Sequence, residues 1–280
     1  MNAVNRVAGA VVEGMLYPFR GLPPFWGVLV VSLVVGAAML LVFKATSNQK
    51  RIKSVKNRMT AGIYEIRLLN DDLAAVLKAQ AGILKHNLVY FRLSLVPLAW
   101  MILPFVVVIA QLQSHYGYRG LEPGETALLE VDLRDDWRER AGASGTSRPE
   151  IALETPGGVR AESPGVWIPA HRQVVWRIAS ETWGDHEVAV TLGGERVVKR
   201  VHVSRDAGRR SPYRSAGFVD QVLYPGEPGI PSASPIRKIT VSYEDASIDV
   251  LGVGLHWIIV FFVLSIVAAF LLKGRMGVTI

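Results

Sequence analysis

Six histidines, His86, His115, His171, His186, His202 and His256, are the side chains of this sequence best suited to metal or acid–base chemistry. A metal site needs ligands paired at helix or strand spacing, as in HExxH, and nucleophilic catalysis needs a serine or cysteine held beside a base. No two of the histidines stand at such a spacing, and the chain has no cysteine. GxSxG, a phosphate-binding glycine loop and a dinucleotide fingerprint are also missing from the sequence. The carboxylate pairs Asp71–Asp72 and Asp135–Asp136 sit among turn-forming residues and read as solvated turns. The expectation is a protein that is not an enzyme and uses no cofactor and no metal.

The distinctive chemistry is charge. Lys44 to Met59 reads KATSNQKRIKSVKNRM, holding Lys44, Lys50, Arg51, Lys53, Lys56 and Arg58 and no acid. Nucleic acid, anionic lipid and the orientation of a membrane span all call for such a cluster. The net charge of +7 decides between them when divided by position. Residues 45–92 carry nine bases against three acids, whereas residues 113–252 carry seventeen bases against twenty acids. The excess therefore lies beside apolar runs, and the segment large enough to bind nucleic acid is mildly acidic. No DNA partner is expected.

The elements that position this cluster are apolar. Phe25–Phe43, Leu93–Leu112 and Val253–Leu272 contain no Asp, Glu, Lys or Arg. At 1.5 Å per residue each approaches the roughly 30 Å of a hydrocarbon core, which predicts three transmembrane helices in a lipid bilayer. The six bases follow the first run, and only Arg20 precedes it closely. Positive-inside sorting then sends the first span inward, the second outward and the third inward, with Lys273 and Arg275 in a cytoplasmic tail at 273–280. The expected location is a bacterial inner membrane, with the N-terminus outside.

Residues 1–24 place Val4, Val7, Ala8, Val11, Val12, Met15, Leu16 and Phe19 at helical spacing, which predicts an amphipathic helix in the outer interface, ended by GLPPF. A weakly ordered tail is the alternative. A secretory signal is not expected, because the segment lacks an apolar centre and the bases follow the first span.

Between the first two spans, residues 44–92 carry two apolar stripes. Ile52, Val55, Met59, Ile63, Ile66 and Leu69 form one, and the other runs through Leu73, Val76, Leu77, Gln80, Ile83 and Leu84. Asn70, Asp71 and Asp72 separate them with residues that favour turns and helix N-caps. A cytoplasmic helical hairpin is predicted, with one long continuous helix as the alternative. Pro97 and Pro104 predict a kink in the second span. Residues 113–252 alternate apolar and polar residues between Gly, Pro and Asp clusters, as in ETALLEVDL and ERVVKRVHV, with LGGE as a hairpin turn. This predicts an all-β, Ig-like sandwich outside the membrane, with Trp167 and Trp176 on its inner face and a long loop over 205–235.

The order of these parts, with PPFWGVLVV entering the first span, the basic foot, RLLNDDLAAVLKAQ at the hairpin and SLVPLAWMILPF in the returning span, resembles the core of the YidC/Oxa/Alb membrane-protein insertases. The likeness is nearest to their three-span relatives, including those of the ER membrane complex, and covers residues 1–115 and the third span. It implies a groove between the spans that eases polar client segments into lipid, with nascent membrane proteins and the ribosome as partners. The groove-lining polar residues would be Ser32, Ser94, Gln111 and Ser265, and the six bases would meet client, ribosome or lipid headgroups. Many bacterial insertases place an arginine in the first core span; Gly36, Ala37 and Ala38 stand there in this chain. The competing reading is a membrane-anchored envelope protein whose β domain recognises a protein partner.

Overall fold

The computed structural model describes residues 3–19, 21–143, 145 and 147–278. Arg20 and the Val4 side chain, both part of the reading above, lie outside them. Four helices come first: α1 (Ala3–Leu16, followed by a 3-10 turn at Tyr17–Phe19), α2 (Pro24–Thr46), α3 (Gln49–Leu68) and α4 (Leu73–Tyr116). Then follow β1 (Thr126–Leu133), α5 (Trp137–Arg140), β2 (Ile151–Glu154), β3 (Val159–Ala161), β4 (Val166–Ile168), β5 (Gln173–Ser180), β6 (Gly184–Leu192) and β7 (Glu195–Val203). The chain continues through β8 (Tyr213–Ser215), α6 (Phe218–Leu223), β9 (Ile236–Val241), β10 (Ser247–Val250) and β11 (Val253–His256) into α7 (Trp257–Leu272). Two compact units result, one of residues 1–27 and 107–257, the other of residues 28–106 and 258–280.

In the second unit, α2 and α4 are long and apolar enough to cross a membrane. Proline at the first position of α2 costs no hydrogen bond, because that N–H has no helical acceptor. Val28, Val31, Ser32, Val35, Gly36 and Leu40 are buried along one stripe of α2, the three-and-four spacing of a packed helix face. Gly36 lies on α7 so closely that a Cβ there would sit 2.9 Å from the Ser265 carbonyl oxygen and 3.2 Å from Ala268 Cβ. Phe105 of α4 meets Phe261 and Phe262 of α7 at ring separations of 5.9 and 5.5 Å. Beyond α7, the Met276 carbonyl accepts a 2.7 Å hydrogen bond from Lys44 Nζ, so the C-terminal ends of α2 and α7 meet.

α7 is shorter than the predicted third span. It has 16 residues, about 24 Å of helix. Val253–His256, the first part of the apolar run, pairs instead with Ser247–Val250 as a β-hairpin. The Leu251–Gly252 turn has φ of 57° and 85°, the two-residue left-handed geometry that suits strand twist, and Asp249 Oδ1 accepts from Gly252 N at 2.9 Å. Hydropathy counts Val253 and Leu255 alike in a strand or a helix, so the run overstates the helix.

The turn between α3 and α4 falls at 69–72. Asp72 Oδ1 caps α4 by accepting from Ala74 N at 2.9 Å and Ala75 N at 3.1 Å, and Asn48 caps α3 by accepting from Arg51 N. Gly62 of α3 packs on Ile83 and Ala79 of α4, and Lys56 lies over the Tyr90 ring at 5.8 Å. These partners step symmetrically away from the turn, the register of an antiparallel helical pair. α4 has 44 residues with Pro97 and Pro104 inside it, so no break separates the hairpin arm from the predicted span at Leu93.

In the first unit, β3-β5-β1-β9-β8 form one sheet, with β4 also on β5, and β2-β6-β7 form another. Every named ladder is antiparallel. Leu129, Val131, Ile178 and Ile239 of the first sheet and Val188, Val190, Val197 and Val201 of the second share one core. The Gly193–Gly194 turn joins β6 to β7 with φ of 60° and 81°. Trp176 is buried; Trp167 is half-buried, edge-on to the wholly buried Trp137 of α5. The segment 205–235 is not a plain loop, since it contains β8 and α6. It is fastened through Lys199 of β7, which is fully buried and donates to Glu227, to the Ser211 carbonyl at 2.8 Å and to the Arg200 carbonyl at 3.0 Å. Burial lowers the Lys199 pKa, and the Glu227 carboxylate opposes that shift.

Two predictions follow from this packing. Gly36→Val should destabilise the detergent-solubilised protein by about 1–3 kcal/mol, the usual cost of overpacking, with Gly36→Ala less affected; a thermal-unfolding series checks it. Glu227→Ala should cost about 3–5 kcal/mol by leaving a buried lysine uncompensated, and Lys199→Met with Glu227→Leu should recover most of the loss. Denaturant unfolding of the three proteins measures the difference.

Candidate functional site

The Lys50-to-Arg58 segment lies on α3, where helical spacing sorts its charges. Lys50, Lys53 and Arg58 fall on one stripe with Ser54, Asn57 and Ala61 and border a shallow surface cavity of about 490 Å³. Arg51 is exposed, as are these three bases. Lys56 is half-buried over Tyr90. Lys44 belongs to a different contact, bonding the Met276 carbonyl at the end of α2. The six bases thus divide into an exposed α3 cluster of four, one lysine that packs the hairpin and one that closes the α2–α7 end.

The hairpin also exposes apolar surface that the charge pattern did not announce. Leu68 is 79% exposed and Leu73 is 73% exposed, on either side of the turn, and Tyr64 and Leu77 are exposed as well. Asn70, Asp71 and Asp72 are exposed between them. An apolar tip beside a basic stem can take up an apolar segment while the bases hold a phosphate-bearing surface.

The four proposed groove residues have different settings. Ser32 of α2 and Ser265 of α7 have buried hydroxyls without a hydrogen-bond partner among the described residues. Ser94 Oγ donates to the Tyr90 carbonyl of its own helix at 3.0 Å. Gln111 belongs to the other unit, where its Nε2 lies 3.4 Å from the Asn5 carbonyl of α1 and its Oε1 is buried without a partner. Ser32 and Ser265 therefore leave polar capacity inside the helices of the second unit, Gln111 Oε1 does so in the first, and Ser94 is satisfied by its own helix.

α1 is packed on protein along one face. Asn5, Gly9, Val12 and Leu16 are buried, Asn5 Nδ2 donates to the Gln221 carbonyl at 2.9 Å, and Gly9 lies against Arg209 and Gln111. Val7 and Val11 are exposed, so the predicted apolar stripe is shared between protein and surroundings. Beside the end of α1 a cavity of about 530 Å³ is bordered by Glu13, Gly27, His115, Tyr116 and the Arg205–Arg209 loop. Local sequence pattern does not reveal it, because its walls come from three distant stretches, 13–27, 115–116 and 205–209. Among the described residues no group of three or more His, Cys, Asp or Glu could hold a metal ion.

No protein-family model, no curated protein and no solved structure matches the chain.

Proposed function

We propose that the chain is an insertase-like or chaperone-like membrane protein, in which α2, α4 and α7 are three spans of a bacterial inner membrane. In this reading the N-terminus and an Ig-like β domain lie outside, and the hairpin and C-terminal tail lie in the cytoplasm. The observation that carries it is the hairpin, with exposed Leu68, Leu73 and Leu77 at its tip and Lys50, Lys53 and Arg58 on its stem. α4 extends about 66 Å, more than twice a hydrocarbon core, so its first half must project beyond any membrane that its second half spans. A projecting apolar tip suits an apolar client segment, and the bases suit ribosomal RNA or anionic lipid. Insertion needs no covalent step, since an unpaired charge at mid-bilayer costs about 2.5–3.5 kcal/mol on insertion scales. Buried polar capacity at Ser32 and Ser265 would lower part of that cost.

Photo-crosslinkers at Leu68 and Leu73 in the full chain should capture nascent membrane proteins, and depletion should slow insertion of short-tailed clients. Lys50→Glu, Lys53→Glu and Arg58→Glu together should weaken binding of ribosomes or anionic vesicles by about a hundredfold, at roughly 1 kcal/mol per base. Unchanged insertion together with no client crosslinks would overturn the reading.

A second reading, that the β domain recognises an envelope protein, is favoured by α6, whose Phe218 and Val219 are 69% and 65% exposed. A crosslinker at Phe218 in the full-length protein should then give one discrete protein adduct that Val219→Asp removes. A diffuse smear unaffected by that substitution argues against it.

A further inference from the structure

α4 carries a second apolar face that α3 does not use. Ala79 and Ile83 pack against Gly62 of α3, and Tyr90 lies under Lys56, so α3 covers one side of the projecting half. On the other side Leu77, Ala81, Leu84, Leu88, Phe91 and Leu95 recur at spacings that alternate between four and three. Leu77, Leu84, Leu88 and Phe91 are 57–64% exposed, and Ala81 is exposed with them. The stripe continues as Leu98 and Ile102 and ends at Phe105, which packs on Phe261 and Phe262 of α7. Lipid can cover Leu98 and Ile102, but a bilayer spanned by the second half of α4 leaves Leu77 to Phe91 in water.

The spacing says what kind of surface fits it. A strict seven-residue repeat drifts around a straight helix and stays on one seam only when helices supercoil about each other. Lipid and an irregular client segment impose no such repeat. With Ala81, Leu88 and Leu95 as a positions and Leu77, Leu84 and Phe91 as d positions, Lys78, Lys85 and Arg92 fall at e, and Gln80 and Asn87 fall at g. All five of these flanking residues are exposed. In a parallel pair of like helices, Gln80 faces Lys85 of the second copy and Asn87 faces its Arg92, amide against cation. An antiparallel pair sets e against e, and so base against base. The flanks therefore select a copy of the same helix running in the same direction.

We infer that the chain forms a homodimer through a parallel, two-stranded coiled coil of α4, seamed by Leu77, Ala81, Leu84, Leu88, Phe91 and Leu95. That water rather than lipid surrounds this half rests on the spans proposed above; the repeat and its flanking charges do not. The turn itself, with Leu68, stays outside the seam.

The sequence has no cysteine, so single introduced cysteines report the contact directly. Under oxidation of the full-length protein, Leu77→Cys, Leu84→Cys and Phe91→Cys should each give a disulfide-linked species of twice the chain mass, because parallel d positions face their own counterparts. Ser54→Cys, exposed on α3, should give none. Linkage at only one of the three, as antiparallel or crossing helices would give, or at none, would overturn the proposal. In detergent, Leu84→Asp with Leu88→Asp should raise the dimer dissociation constant by about a hundredfold or more, since the seam would then bury carboxylates. Both leucines are exposed in the single chain, so the thermal midpoint should hold at dilutions where wild type is monomeric. An unchanged constant would also overturn the proposal, as would adducts to other proteins in place of the homodimer, which would assign the face to a client. Loss of client capture and insertion while the dimer persists would count against the insertase reading alone.

Discussion

A helix closes its own backbone hydrogen bonds, and the apolar half of this chain depends on that. Leu98, Trp100, Ile102 and Leu103 of α4 stand 52–74% exposed with no protein over them. Water would penalise such a surface at about 25 cal/mol per Å², whereas hydrocarbon accepts it provided no N–H or C=O is left open. Only helix or closed barrel meets both conditions, so for an α4 that crosses a bilayer the side chains and the choice of helix would be one requirement. Pro97 and Pro104 sit within the continuous helix Leu73–Tyr116, and each removes the donor that the carbonyl four residues earlier, of Leu93 and Trp100, would use.

The same pressure acts differently where one apolar helix meets another. In lipid, which is no less apolar than leucine, two such helices would need close backbone approach to supply the attraction. Gly36 provides it on α7, and the missing side chain admits the Ser265 carbonyl and Ala268. A groove and a tight seam make opposite demands on this contact. Around Gly36 the seam prevails, and the buried hydroxyls of Ser32 and Ser265 are the polar residue it leaves. In the proposed insertase reading, a polar client segment would have to find its partners there or at a surface of α2 or α4 that the seam does not use.

Much of this was legible from periodicity. Alternation in TALLEVDL and ERVVKRVHV places the inward residues of β1 and β7, and the turn residues before Leu73 place the hairpin. Lys199 was legible in the same way and was passed over. It shares parity with Val197, Val201 and Val203, all buried, so the pattern itself puts a lysine in the core. What sequence could not supply was its partner, because Glu227 lies 28 residues on, in a stretch whose Gly and Pro content reads as loop. The third apolar run overstated its helix by four residues for a related reason. A hydropathy window sums side chains and ignores the Leu251–Gly252 turn that folds its first residues into a strand.

The cavity beside α1 shows where local reading ends altogether. Neither Glu13 nor Arg209 is unusual in its own stretch: one sits on a helix of alternating small and apolar residues, the other in a run of basic and turn-forming ones. Only the docking of α1 through Asn5, Gly9 and Gln111 brings them to one wall. Once there, each changes the other's cost. A half-buried guanidinium loses part of its hydration, and the Glu13 carboxylate nearby offsets that cost. That mutual offset belongs to the docked pair, and neither stretch shows it alone.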